Sequence, residues 1–362
     1  MNLTSLINSS PGTHVNVATE GVTCDVCHKV TDVLVGEDQL PHDDHPGVMS
    51  MSIVQPASSP LVVFGPLADE ATPNAAIKRT CYPIFSESQF CAACHYGNFS
   101  GVQIYGSYKE WLESPYSQRH ILSANGEIVG ESENYRSCQD CHMLYDKPVA
   151  GTLPSERDAC SETNLEFRDF NHNMMNYGPD PDNPLREIPL LVKNAATITI
   201  DEPKIETGLV KFKVTVRNTG AGHKFPTDSP LRHLILLVQV TAQNTSLPQI
   251  SGPTIPVWEA QDYAGYPGTI YANLLKDRDT NEMPSFAYWN SIEPAWQVSD
   301  TRLVPGQAVQ SEYSFVAPSN GSAVIAVRLI YRKAFIEIAH QKGWPLINLD
   351  IEATKASVEI TP

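Results

Sequence analysis

Cys24-Asp25-Val26-Cys27-His28 returns as Cys91-Ala92-Ala93-Cys94-His95 and again as Cys138-Gln139-Asp140-Cys141-His142. One repeated pentapeptide thus holds six of the chain's eight cysteines. Cys-x-x-Cys-His is the attachment signature of c-type haem. Two thiols on one local turn can add to the two vinyl groups on one side of a porphyrin, and the next histidine then lies under the iron as its proximal ligand. Zinc explains the pattern less well. A closed zinc site needs four ligands, so two Cys-x-x-Cys pairs sharing an ion would orphan the third pair and leave the repeated histidine unexplained. A thioredoxin-like motif needs one Cys-x-x-Cys in a βαβ frame, not three without one. The repeat therefore predicts three covalent haems, attached at Cys24/Cys27, Cys91/Cys94 and Cys138/Cys141, with His28, His95 and His142 as proximal ligands.

Outward from these motifs the composition changes sharply. The last cysteine is Cys160, and of the eleven histidines only His223, His233 and His340 lie beyond position 172 of the 362 residues. This break predicts two domains, a trihaem domain over 1–188 and a second over 189–362, divided after the proline-rich run Gly178-Pro179-Asp180-Pro181-Asp182-Asn183-Pro184. Lys plus Arg number 25 against 41 Asp plus Glu, a net charge of −16. So acidic a chain lacks the electrostatic footprint for nucleic acid. No uninterrupted apolar run reaches the roughly 18 residues of a membrane-spanning helix.

A haem is a large apolar plate that can replace a side-chain core. The first domain is therefore expected to be loop-rich with short helices, the best of them Ser107 to Leu112 and the segments ending in each haem histidine. Beyond 189 the period becomes two. Val210, Phe212, Val214 and Val216 alternate with Lys211, Lys213, Thr215 and Arg217, which reads as a half-buried strand over Leu209 to Asn218. His233 to Val240 is a continuous apolar run suited to a core strand. Val309 to Val316, Ala323 to Tyr331 and Ala356 to Ile360 read as further strands between Gly, Pro, Asn and Ser turns, so an antiparallel β-sandwich is expected here. No catalytic triad or phosphate loop is legible. Five sequons (Asn2, Asn8, Asn98, Asn244 and Asn320) permit glycosylation and establish nothing more.

The chain resembles the multihaem c-type cytochromes of extracytoplasmic electron transfer. Glu20-Gly21-Val22-Thr23-Cys24 through His28-Lys29-Val30 looks like one haem segment of that group. Ser86-Glu87-Ser88-Gln89-Phe90-Cys91 through His95, with Tyr108-Lys109-Glu110-Trp111-Leu112-Glu113-Ser114-Pro115-Tyr116, looks like a second, and Cys138 through His142-Met143 like a third. The likeness covers most of residues 20–145. Relatives often carry more haem motifs upstream, which this chain does not show. The resemblance implies an extracytoplasmic protein, secreted, periplasmic or at the cell surface. Met1 to Ser10 has neither the basic start nor the apolar core of a secretory signal, so the expectation is a trimmed or misassigned start.

Porphyrin and proximal histidine fill five positions of each iron, leaving three distal positions. The candidates, in order, are His172, His223, His14, His120, His45 and His42. His172 sits where related cytochromes tend to carry a ligating histidine. His223 lies in Gly220-Ala221-Gly222-His223-Lys224-Phe225-Pro226-Thr227, at the end of the strand Leu209 to Asn218, and a similar Gly-His-x-Phe-Pro-Thr turn occurs in related cytochromes. The two glycines let the chain turn, and Pro226 keeps it from continuing as a ladder strand. His14 stands ten residues before Cys24. His120, His45 and His42 occupy loop-like contexts, and a plain surface role is the alternative for each. Met174 and Met175 are possible thioether ligands, which would raise a haem's potential. His233 and His340 are assigned to packing or surface. Cys81 and Cys160 are left over. In an oxidising compartment such a pair more often forms a disulfide, with a free buried cysteine or an extra haem link as alternatives.

The functional expectation is electron transfer through three bis-histidine c-type haems. Its partners would be redox proteins or extracellular electron acceptors, and self-assembly into a filament is a stronger variant. The alternative is a multihaem reductase of a small nitrogen or sulfur compound, which needs one haem with an open face. A structural surface protein with incidental haems is the third class.

Overall fold

The computed structural model describes residues 24–55, 61–66, 77–99, 101–143, 172, 174–175, 177–180, 183–259, 262–285 and 295–360. The chain divides into two compact units: residues 1–93 with 145–170, and residues 94–144 with 171–362. Ile188 is buried in the main core of the second unit, and the segment 94–144 belongs to that same unit.

In the first unit, α1 (Cys24–Cys27) runs into β1 (Val30–Val33), which pairs antiparallel with β2 (Met51–Ile53). β3 (Leu61–Gly65) and β4 (Ile77–Cys81) form a parallel pair. Helix α2 (Gln89–His95) carries the second attachment motif and runs across the division, with Cys94 and His95 in the second unit.

In the second unit, the pair β5 (Gly97–Phe99) and β6 (Val102–Tyr105) leads into α3 (Ser107–Leu112). Strands β7 (His120–Leu122) and β8 (Ile128–Glu131) then precede α4 (Cys138–His142). β9 (Tyr177–Asp180) pairs with β10 (Asn183–Pro189), and α5 (Leu190–Lys193) follows.

This corrects the expected fold class. The motif-bearing half builds no distinct short-helix haem domain; it forms a series of two-stranded ladders, with helices of four to seven residues. The reason is local. Helices this short are unstable on their own, whereas β-branched runs such as Val30-Thr31-Asp32-Val33 and Leu61-Val62-Val63-Phe64 favour a pleated, half-buried surface.

The rest of the second unit is two larger antiparallel sheets. One orders β11 (Ala196–Ile200), β13 (Leu209–Asn218), β19 (Ala308–Val316) and β16 (Gln249–Ser251), with β12 (Lys204–Glu206) also on β13. The other orders β18 (Ala295–Asp300), β17 (Gly268–Asp277), β14 (His233–Ala242), β20 (Gly321–Arg332) and β21 (Asn348–Ile360), with β15 (Thr245–Ser246) also on β14. Val210, Phe212, Val214 and Val216 of β13 share one core with Leu234, Leu236, Val238 and Val240 of β14 and Ile325, Val327 and Leu329 of β20. Each such side chain contributes about 1.5–3 kcal/mol by burial.

The apolar run of β14 has a simple cause: both faces are covered. Ile235 and Leu237 point away from the shared core into a second cluster with Ile255, Ile270, Ile330, Phe335 and Ile338. The last of these lies on α6 (Ile336–Lys342), which ends at Gly343 in the left-handed conformation that suits glycine. His233 is fully buried and lies face to face with Phe335, ring centroids 4.2 Å apart and planes 7° from parallel. His340 is exposed on α6. Among the described residues no helix is long and apolar enough to cross a membrane.

Candidate haem centres

The third motif shows how the sequence shapes an attachment turn. Ser137 caps α4: its Oγ accepts from the Asp140 N–H at 3.1 Å, while Asp140 Oδ2 accepts from the Ser137 N–H at 2.8 Å. This reciprocal box fixes the first helical turn and uses the second variable residue of Cys-Gln-Asp-Cys-His to do so. Burial, with the Asp140 carboxylate and Cys138 beside it, pushes the Cys141 thiol up to about 11.

The three motif histidines share one feature. His28 Nδ1 lies 2.6 Å from the Phe64 carbonyl oxygen at the end of β3, and His142 Nδ1 lies 2.8 Å from the Met174 carbonyl. His95 Nδ1 lies 2.9 Å from Asp228 Oδ2. A ring nitrogen facing an acceptor carries the hydrogen, which fixes the tautomer with the lone pair on Nε2. A ligating histidine held by its other nitrogen is the usual arrangement around a metal. The residues thus fit a haem at each motif: two thiols on one turn and an imidazole oriented for ligation.

The structure also brings His223 to His142. Their ring centroids are 6.1 Å apart and their planes 17° from parallel, wider than the 4.2 Å face-to-face contact of His233 and Phe335. Two imidazoles ligating one metal from opposite sides, each at roughly 2 Å from it, have centroids about 6 Å apart. His223 Nδ1 lies 2.9 Å from the Lys224 carbonyl, so its Nε2 is also the nitrogen left with the lone pair. Burial pushes the His223 imidazole down to about 4 and His142 below its usual range. Both are neutral, the form that ligates.

The loop after β13 is pinned at nearly every residue. Asn218, 1% exposed, donates from Nδ2 to the His223 carbonyl at 2.9 Å and to the Leu303 carbonyl at 3.0 Å, and its Oδ1 accepts from the Ala221 N–H at 3.0 Å. Gly220 passes so near the Asn194 carbonyl that a Cβ would stand 2.3 Å from its oxygen. Phe225 and Leu303 exchange both backbone hydrogen bonds at 2.9 Å. Thr227 Oγ1 donates to Glu110 Oε2 at 2.6 Å.

Beneath the loop lies a buried ion-pair network. Arg302 reaches Glu110 Oε1 at 2.6 Å and grips both oxygens of Asp300 at 2.8 Å, and Lys224 Nζ lies 2.8 Å from Asp300 Oδ2. Burial pushes Asp300 up, but Arg302 and Lys224 outweigh it and hold the carboxyl down at about 2. For Glu110 burial wins over Arg302 and Thr227, and the carboxyl is raised.

The other distal candidates are placed differently. His120 is exposed on β7, His172 is exposed, and His42 and His45 are exposed in the loop between β1 and β2, with His45 Nδ1 3.1 Å from Asp44. Cys81 ends β4. His14 and Cys160 lie outside the described residues. Sequence reading missed Asn218 and Asp228, and no motif marks them. Asp228 meets His95 from 133 residues away, and Asn218 ties its own loop to Leu303, 85 residues on.

No protein-family model matches the chain, and no curated protein matches it. Among solved structures, the chain is similar to a penta-heme cytochrome c552 from Thermochromatium tepidum, with TM-score 0.59 and 17% identity over 94% of this chain and 77% of that one. The chain therefore shares the fold of that penta-heme cytochrome. A β-glucosidase from Kluyveromyces marxianus matches at TM-score 0.19 and 11% identity, over 46% of this chain and 14% of that one, and carries no argument.

Proposed function

We propose that the chain is an extracytoplasmic electron-transfer protein with three covalent haems, at Cys24/Cys27, Cys91/Cys94 and Cys138/Cys141, each with two histidine ligands. The single observation that carries this reading is the His142–His223 pair, two neutral imidazoles 6.1 Å apart with both Nδ1 atoms tied to backbone carbonyls. The fold shared with a penta-heme cytochrome supports it.

Haem bound at these motifs supplies a one-electron couple at each iron. The chain would orient the proximal imidazoles through Phe64, Asp228 and Met174 and offer His223 as a second ligand beside His142. His172, His14, His120, His45 and His42 are proposed for the remaining distal positions, and Cys81 with Cys160 as a disulfide. Redox proteins or extracellular acceptors would receive the electrons, and self-assembly into a filament is the stronger variant, which electron microscopy of the native material tests.

The test is His223→Ala. All three haems should stay attached by mass, while one becomes high-spin in the optical and EPR spectra. An unchanged low-spin spectrum overturns the assignment of His223. Rapid nitrite or carbon monoxide binding by the unaltered protein favours a reductase instead.

A further inference from the structure

The three motif histidines differ in what holds them. His28 and His142 meet backbone carbonyls, which are neutral. His95 meets a carboxylate, Asp228 Oδ2, at 2.9 Å. The carboxylate is built into its place. Asp228 Oδ1 accepts from the Ser107 N–H at 3.2 Å, at the start of α3, and Ser107 Oγ lies 3.3 Å from His95 Nδ1. Only a tenth of the side chain is exposed, at 11%. Asp228 takes a left-handed backbone, φ 58°, which aspartate and asparagine tolerate better than most residues.

We propose that Asp228 is a positioning residue that makes the haem at Cys91/Cys94 the lowest in potential of the three, a proposal that rests on the haem reading above. A carboxylate accepting the Nδ1 hydrogen draws it off the ring and leaves Nε2 a stronger donor, as ligand basicity rises with such a partner. A more basic axial ligand stabilises Fe(III) relative to Fe(II), so the one-electron reduction Fe(III) + e⁻ → Fe(II) requires a lower potential. The neutral carbonyls behind His28 and His142 exert this pull more weakly. The field of the Arg232 guanidinium acts against the carboxylate at His95.

The experiment is a dithionite titration of the intact protein, followed optically and by NMR of the thioether-linked methyl groups, which assigns each wave to its motif. In the unaltered chain the haem at Cys91/Cys94 is expected to be reduced last. In Asp228→Asn, which keeps the backbone preference and an acceptor for Ser107, that wave alone should move to higher potential. The expected size is about tenfold in the oxidised-to-reduced ratio at fixed potential, or about 59 mV for one electron. Reduction of this haem first or second in the unaltered protein overturns the proposal without needing any variant to fold. An unmoved wave in fully loaded Asp228→Asn overturns it as well. Absence of haem at Cys91/Cys94 by mass overturns the underlying haem reading, and the proposal falls with it.

Discussion

Asn218 donates from its side chain to the backbone carbonyl of His223 at 2.9 Å, so the last residue of β13 holds the first imidazole beyond the sheet. The same amide satisfies the Leu303 carbonyl and the Ala221 N–H. An asparagine buried in this way is a strut. Replacing it takes this partner from the His223 carbonyl and the Ala221 N–H, while the Leu303 carbonyl keeps the Phe225 N–H.

Asn218→Ala is accordingly expected to cost about 2–4 kcal/mol, since each buried group left unsatisfied costs about 1–3 kcal/mol and water will recover part of the loss. Chemical denaturation measures this. The holoprotein should also show a high-spin fraction at one haem, because His223 loses the bond that fixes its backbone.

Two glycines in the loop should behave differently. A Cβ at Gly220 would stand 2.3 Å from the Asn194 carbonyl oxygen, whereas one at Gly222 meets the Tyr116 ring at an ordinary 3.5 Å. Gly220→Ala should therefore lower stability by about 1–3 kcal/mol, as overpacking does, and Gly222→Ala by much less. Equal melting shifts for the two variants would contradict this reading.

Arg302 joins two carboxylates in a buried setting. Arg302→Ala takes the cation from buried Glu110, while Asp300 keeps Lys224, and should cost about 3–5 kcal/mol, the usual loss when one partner of a buried pair is removed. The double variant Arg302→Met with Glu110→Gln should recover much of that, because it removes both charges of the Arg302–Glu110 pair and leaves Asp300 with Lys224. Unfolding midpoints of the single and double variants give the comparison.

Acid should loosen the same network. Asp300 is held down at about 2 in the folded chain, against an ordinary aspartate near 3.9. A lowered folded value means stability that is present above about pH 4 and lost as pH falls towards about 2. Glu110 runs the opposite way, since burial raises it. Asp300→Asn should flatten the acid limb of the stability curve, measured by denaturation between pH 5 and pH 2.

What the sequence made legible was what it encodes locally. The three Cys-x-x-Cys-His turns need only five residues each, and the alternation of Leu209 to Asn218 matches the burial of Val210, Phe212, Val214 and Val216 in β13. The turn chemistry around Gly220, His223 and Pro226 sufficed to single out that histidine, but not to say that it faces His142. The ladders β1–β2 and β3–β4 escaped notice because strands of three to five residues leave almost no periodic signal. Asp228 behind His95 and Glu110 against Arg302 join residues more than a hundred positions apart. Such pairs exist only once the sheets have set their distance.

The loop that leaves β13 serves two imidazoles at once: it ends the strand with Asn218, presents His223 towards His142, and sets Asp228 against His95. It is a ruler cut to one length. Adding or removing a residue between 219 and 227 would displace both ends of the measurement together. A mutation that repairs one site would spoil the other, so this stretch should tolerate exchange of its outward side chains far better than any change in its number of residues.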